Sequence, residues 1–235
     1  MIKYTYLLID LLSLAVPLVF SFHPKIRLYR HWNALLTAIL ITAVCYVLWD
    51  SWFTHLGVWG FNSRYTTGIY VGNLPLEELL FFVCIPYSCV FTFECLSGIL
   101  SPALMQKAVK PFGYCFTIIL LLFATIFYAQ AYTASSFALL AAMIFAGTIK
   151  NISWLPKFYV VYVILLIPFL IVNGVLTGTG LSSPIVWYNA SGIIGLRILT
   201  IPVEDVFYGM GLILANVWVY SAIRKRELQH RGIFS

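Results

Sequence analysis

Apolar runs close to the roughly 20 residues that span a bilayer as a helix occupy residues 4–22, 34–53, 76–96, 112–128, 132–149, 158–176 and 203–223. The pattern predicts an all-α polytopic bundle of seven transmembrane helices. The narrowest break, residues 130–136, separates the fourth span from the fifth, and hydropathy barely dips there. The first run resembles the apolar stretch of a signal peptide behind Lys3. Asp10 interrupts it, however, and Ser21-Phe22-His23 is no small-residue cleavage site, so it reads as an uncleaved helix.

Composition narrows the choice of class. Of the 235 residues 62% are hydrophobic and 9% charged, against about 25% charged in soluble domains. With a mean hydropathy of +0.95, such a chain cannot wet a globular surface, and a soluble enzyme or a disordered segment is excluded. The net charge of +6 does not indicate nucleic acid, because the basic residues sit singly between apolar runs rather than clustering on one polar face. In the seven-span reading, eleven of them share one side: Lys25, Arg27, Arg30, Lys107, Lys110, Lys150, Lys157, Arg224, Lys225, Arg226 and Arg231. The other side holds Lys3, Arg64 and Arg197. By the positive-inside rule the first side, with the C-terminus, is cytoplasmic and the N-terminus is outside the cell membrane. The five cysteines and four histidines show no metal-ligand spacing, so no metal site is expected.

A repeat organises the chain. Residues 68–81 (GIYVGNLPLEELLF) align without gaps on residues 195–208 (GLRILTIPVEDVFY), an offset of 127. Upstream, Val58-Trp59 and Asn62 meet Val186-Trp187 and Asn189 if one residue of slip is allowed. The offset carries spans 1, 2 and 3 onto 5, 6 and 7. Residues 1–100 and 132–235 are therefore read as two repeats, and residues 101–131, with span 4, as their linker. An odd number of linking spans leaves the repeats parallel, related by a pseudo-two-fold axis along the bilayer normal.

The same repeat concentrates acids. Glu77-Glu78 and Glu204-Asp205 each follow a proline at the outer end of a span, Asp50 ends span 2 at that level, and Asp10 lies roughly 9 Å of helix rise inside it. Six of the eight acids thus crowd one half of the bilayer, with Arg64 and Arg197 as the nearby cations. A helix start with Asn73 or Thr200 as N-cap and acids in the first turn is ordinary capping chemistry. Its recurrence in two facing repeats points to function instead, as intramembrane acids generally do. A neutral carboxyl can donate a proton while its ionised partner stabilises positive charge or removes a proton. Aromatics crowd the same level: Trp49, Trp52, Phe53, Trp59, Phe61, Tyr65, Tyr70, Phe81 and Phe82, then Trp187, Tyr188, Phe207 and Tyr208. Their faces suit a cation, although an interfacial belt would use the same residues.

Pro75-x-Glu77-Glu78-x-x-Phe81-Phe82 and Pro202-x-Glu204-Asp205-x-x-Tyr208 resemble the duplicated motif of the small membrane lycopene cyclases, in the fused tandem form. Tyr208 replaces the motif's aromatic Phe, and Gly209 stands where the first copy has Phe82. The resemblance implies a lycopene beta-cyclase acting without a cofactor on the linear ψ-ends of lycopene or a related linear carotenoid. Its catalytic residues would be Glu77, Glu78, Glu204 and Asp205, supported by Asp10, Asp50, Arg64, Arg197, Asn73, Phe81, Phe82 and Tyr208. The lipid bilayer is the expected environment, no nucleic acid is involved, and self-association or association with other carotenoid enzymes is left open. A membrane carotenoid hydratase and a proton-coupled transporter or sensor are the alternatives.

Overall fold

The computed structural model describes residues 2–101 and 106–230, and leaves out the side chains of Gln106, Lys107 and His230. Of the basic residues counted above, Arg231 and the Lys107 side chain therefore lie outside the described residues. Among the described residues seven α-helices carry the fold: α1 Thr5–Phe20, α2 Trp32–His55, α3 Leu76–Ser97, α4 Gln106–Ile126, α5 Ala131–Ile149, α6 Leu155–Leu176 and α7 Val203–His230. Each contains a stretch long and apolar enough to cross a membrane, and the protein is a multi-pass membrane protein. Helices prevail because a backbone in hydrocarbon must satisfy its own hydrogen bonds. The α7 helix outruns its apolar stretch because Arg224, Lys225 and Arg226 continue it beyond the apolar zone.

Large apolar side chains cover the outside, Leu12 and Val19 among them, both about seven-tenths exposed. The core between α2, α3, α5, α6 and α7 is built on fully buried residues such as Val90, Leu140, Ile144, Leu214 and Val217. Polar contacts add direction to this apolar packing. The Thr42 hydroxyl donates to Asn216 Oδ1 at 2.8 Å between α2 and α7, and Ser88 donates to the Ser13 carbonyl at 2.9 Å between α3 and α1. At the end away from the acid pairs, Arg224 on α7 forms an ion pair with Glu94 on α3.

The offset of 127 is a structural symmetry. The α1 helix packs on α3 as α5 packs on α7, while α2 packs against α7 and α6 against α3. The α4 helix, which has no counterpart, lies mainly on α5. Before α3 and α7 the chain forms matching hairpins: β2 Tyr70–Val71 with β3 Leu74–Pro75, and β5 Arg197–Ile198 with β6 Ile201–Pro202, after β1 Trp59–Phe61 and β4 Val186–Tyr188 in the respective repeats. These strands are too short to announce themselves by alternation in the sequence. Gly68 and Gly195 take φ of 87° and 86° at equivalent turns, but Gly72 at 65° is matched by Leu199 at 58°. Asn62 and Asn189 each accept a hydrogen bond from the backbone two residues on.

The strands β1 and β4 join the repeats. They pair antiparallel with Trp59 opposite Tyr188, Gly60 opposite Trp187 and Phe61 opposite Val186. A two-fold operation on this ladder equates Trp59 with Val186 and Phe61 with Tyr188, an unbroken offset of 127. The one-residue slip that aligned Trp59 with Trp187 is thereby corrected. The physical reason is steric: the Trp187 indole fills the space that a Cβ on Gly60 would occupy, so two tryptophans could not meet there.

Candidate functional site

Both acid pairs stand in the first turn of a helix that a proline opens. The expected caps are absent. Asn73 instead donates to the Ser51 carbonyl at 2.8 Å and accepts from the Ser51 hydroxyl at 2.7 Å, tying its hairpin to α2. Thr200 shares hydroxyl hydrogen bonds with Thr177 and Thr179. The first acid of each pair does the bracing that a cap would do, by reaching back to the loop. Glu77 Oε1 accepts from the Thr67 N–H at 2.6 Å, and Glu204 Oε1 from the Ile194 N–H at 2.7 Å. Glu204 also accepts from the Thr133 hydroxyl at 2.7 Å. Both side chains are fully buried, and each leaves Oε2 without a partner among the described residues.

The second acids point elsewhere, since neighbouring positions on a helix diverge by about 100°. Glu78 Oε2 accepts from the Tyr6 hydroxyl at 2.5 Å. Asp205 uses both oxygens, accepting from Tyr132 at 2.8 Å and from Tyr188 at 2.9 Å. Glu78 and Asp205 line one cavity of about 430 Å³, and Asp50 joins them. Asp10, fully buried with neither oxygen partnered among the described residues, lies within electrostatic reach of Glu78 and Glu77 but does not line the cavity.

The remaining wall is apolar and aromatic. Trp59, Phe61, Phe81, Tyr188 and Tyr208 surround the acids. Burial, then the neighbouring Asp205 carboxyl, push the Tyr188 phenol well above its ordinary pKa, so it remains a hydrogen-bond donor. From Glu78 the cavity follows α3 past Ile85 and Ser88 to Thr92, a helix rise of about 21 Å. Leu12 on α1 and Ile171 on α6 both line it and are 71% and 66% exposed. They mark a mouth on the lipid-facing side between α1 and α6. Pro17 and Pro168, within these two helices, also line the wall.

Of the residues singled out from sequence, Glu78, Asp205, Asp50, Phe81 and Tyr208 come together here. Phe82 is buried against Tyr46 instead. Arg64 and Arg197 form no ion pair with the acids among the described residues: both are exposed, Arg64 in a short 3-10 turn and Arg197 on β5, although Arg197 stands within electrostatic reach of Asp205. Arg64 donates to Ser182 and Arg197 to the Thr200 carbonyl at 2.5 Å, and the latter stacks over the Tyr188 ring. Trp52 and Tyr70 face outward. Sequence reasoning missed Tyr6 and Tyr132, the phenols that serve the second acids. A signal for them existed: the offset of 127 sets Thr5-Tyr6 against Tyr132-Thr133, the same two residue types exchanged. Among the described residues no group of His, Cys, Asp and Glu could hold a metal ion.

Comparison with known proteins agrees with this duplicated construction. A protein-family model described as lycopene cyclase matches residues 3–96 and again residues 129–223. No curated protein and no solved structure matches the chain. Two successive matches, one over each three-helix repeat, cover most of the molecule, and the chain therefore belongs to the lycopene cyclase family, whose activity is carotenoid cyclisation.

Proposed function

We propose that the protein is a lycopene beta-cyclase in which Glu78 and Asp205 carry out cofactor-independent, acid-catalysed ring closure. The observation that carries this reading is the meeting of these two carboxyls, one from each repeat, in an aromatic-walled cavity open toward lipid. Glu78 has one oxygen engaged by Tyr6 and the other free to hold a proton toward the substrate. It transfers that proton to the terminal double bond of the ψ-end, leaving a cation at the branched carbon. The internal double bond attacks it, one carbon–carbon bond forms, and the charge moves into the new ring. Asp205, satisfied by two phenol donors, is the fixed anion that faces this charge. Removal of the adjacent ring proton by a carboxylate gives the β-ionone ring, and return of that proton to Glu78 restores the enzyme. Atoms balance, and no electrons are gained or lost. The apolar walls exclude water that would otherwise capture the cation as an alcohol.

In this reading Glu77 and Glu204 are positioning residues that hold the loops above the cavity, and residues 1–100 and 132–235 are the two cyclase repeats around the linker 101–131. The distribution of Lys and Arg places the acid end outside and the C-terminus in the cytoplasm, so a reporter fused after Arg226 is expected to be cytoplasmic. The decisive experiment is expression in a lycopene-producing bacterium. Cyclisation shifts the pigment's absorption without changing its mass. A product heavier by water would instead establish a hydratase, and unchanged lycopene from well-expressed protein would defeat the reading.

A further inference from the structure

Two parallel repeats with two acid pairs could build two equivalent sites, one for each end of a symmetric polyene. Among the described residues only one of the two possible chambers is open. On the α6 side the cavity wall includes Gly209, Asn173, Leu176 and Phe169. The offset of 127 turns these positions into Phe82, Tyr46, Trp49 and Thr42. There the space is filled. Phe82 is 1% and Tyr46 4% exposed, and the two rings pack at 6.3 Å between centroids. Tyr46 and Trp49 both close edge-on against Tyr208, at 5.2 and 5.3 Å. Beyond them the hydrogen bond from Thr42 to Asn216 draws α2 onto α7.

The chemistry is equally one-sided. Asp50 enters the cavity from the first repeat, where the second repeat has Thr177. Tyr188 comes from the second, where the first has Phe61. Glu78 and Asp205 thus serve a single chamber. At its far end, about 21 Å along α3, the wall offers Thr92, Leu165 and Ile213 and no carboxyl.

We infer that the two repeats build one substrate site, so that a linear carotenoid is cyclised at one end per visit and the monocyclic product returns to the membrane before its other end can bind. This rests on the cyclase reading for the reaction and on the cavity alone for the stoichiometry, and the test separates them. The purified protein in lipid vesicles is given isotopically labelled lycopene together with an excess of unlabelled monocyclic carotenoid. Label is expected to collect in the monocyclic pool, and any bicyclic product should lose label in proportion to the dilution. Bicyclic product that keeps its full label would overturn the inference.

Titration of tryptophan fluorescence with lycopene tests the stoichiometry without turnover, because Trp59 lines the cavity. Quenching should saturate at one polyene per chain even if no product forms; saturation at two, or no saturable site, would overturn it. Gly209→Phe, which copies Phe82 into the open chamber, should abolish saturable quenching while helicity is retained. Gly209→Ala should preserve it, since a Cβ there meets Phe169 at 3.4 Å, an ordinary contact. A folded Gly209→Phe protein that still bound one polyene would show that the chamber is not the site.

Discussion

The starts of α3 and α7 are built on the same plan and finished differently. In both, a hairpin ends in a proline, the first acid braces the loop through a backbone N–H, and the second acid turns into the bundle. The difference lies in what meets these acids. Glu78 has one phenol, while Asp205 has two. Glu204 gains the Thr133 hydroxyl, while Tyr6 occupies the equivalent position in the first repeat and serves Glu78 instead. One turn farther along, Phe82 fills its half and Gly209 leaves the other open. Duplication supplied the frame, and a few divergent side chains turned two similar half-sites into one asymmetric chamber.

The largest expected effect separates the second acids from the first. Glu78→Gln and Asp205→Asn keep shape but remove the transferable proton or the anion, and cyclisation should fall by about two to four orders of magnitude. Glu77→Gln and Glu204→Gln should reduce turnover less and lower stability instead, read as pigment formed per unit of membrane-inserted protein and as midpoint of thermal unfolding. Near-normal β-carotene from all four variants would leave these acids as helix-start chemistry only.

A smaller effect distinguishes one phenol from two. Tyr6→Phe strips Glu78 of its only hydrogen-bond donor among the described residues, whereas Tyr188→Phe leaves Asp205 with Tyr132. Hydrogen bonds to charged groups, here the Asp205 anion and the Glu78 carboxylate that forms as its proton leaves, contribute about 1.5–3 kcal/mol, roughly ten- to a hundredfold in rate. Tyr6→Phe should lie toward the upper part of that range and Tyr188→Phe toward the lower part. Equal losses in steady-state turnover would contradict the asymmetry drawn between the two carboxyls.

The smallest effect concerns the hairpin turns. Leu199 holds φ at 58° where the first repeat uses Gly72 at 65°, and a left-handed conformation costs a side-chain-bearing residue about 1–2 kcal/mol. Leu199→Gly should recover most of that cost and raise the thermal midpoint by a few degrees. Gly72→Leu should lower it correspondingly. Neither residue lines the cavity, so activity at low temperature should stay unchanged in both.

By itself the sequence determined the seven spans, their parallel duplication and the level at which the acids gather. The reason is local: in hydrocarbon each segment must close its own backbone hydrogen bonds, so hydropathy along the chain suffices to mark a helix. Gly60 already shows where such reading stops, because only the β1–β4 pairing reveals that Trp187 needs the space beside it. The rotation of each helix about its axis, which sends Glu78 inward and leaves Glu77 to hold a loop, is set by packing against neighbours distant in sequence. Tyr6 reaches Glu78 across 72 positions and Tyr132 reaches Asp205 across 73, distances over which no periodicity carries information. Arg64 and Arg197 looked like ion-pair partners for the acids because they stand at the same end of the bundle, yet both are exposed and neither forms an ion pair with a carboxyl among the described residues. Tertiary structure alone decided that there is one chamber, because its closure in one half depends on whether Phe82, Tyr46 and Trp49 meet a ring or a gap.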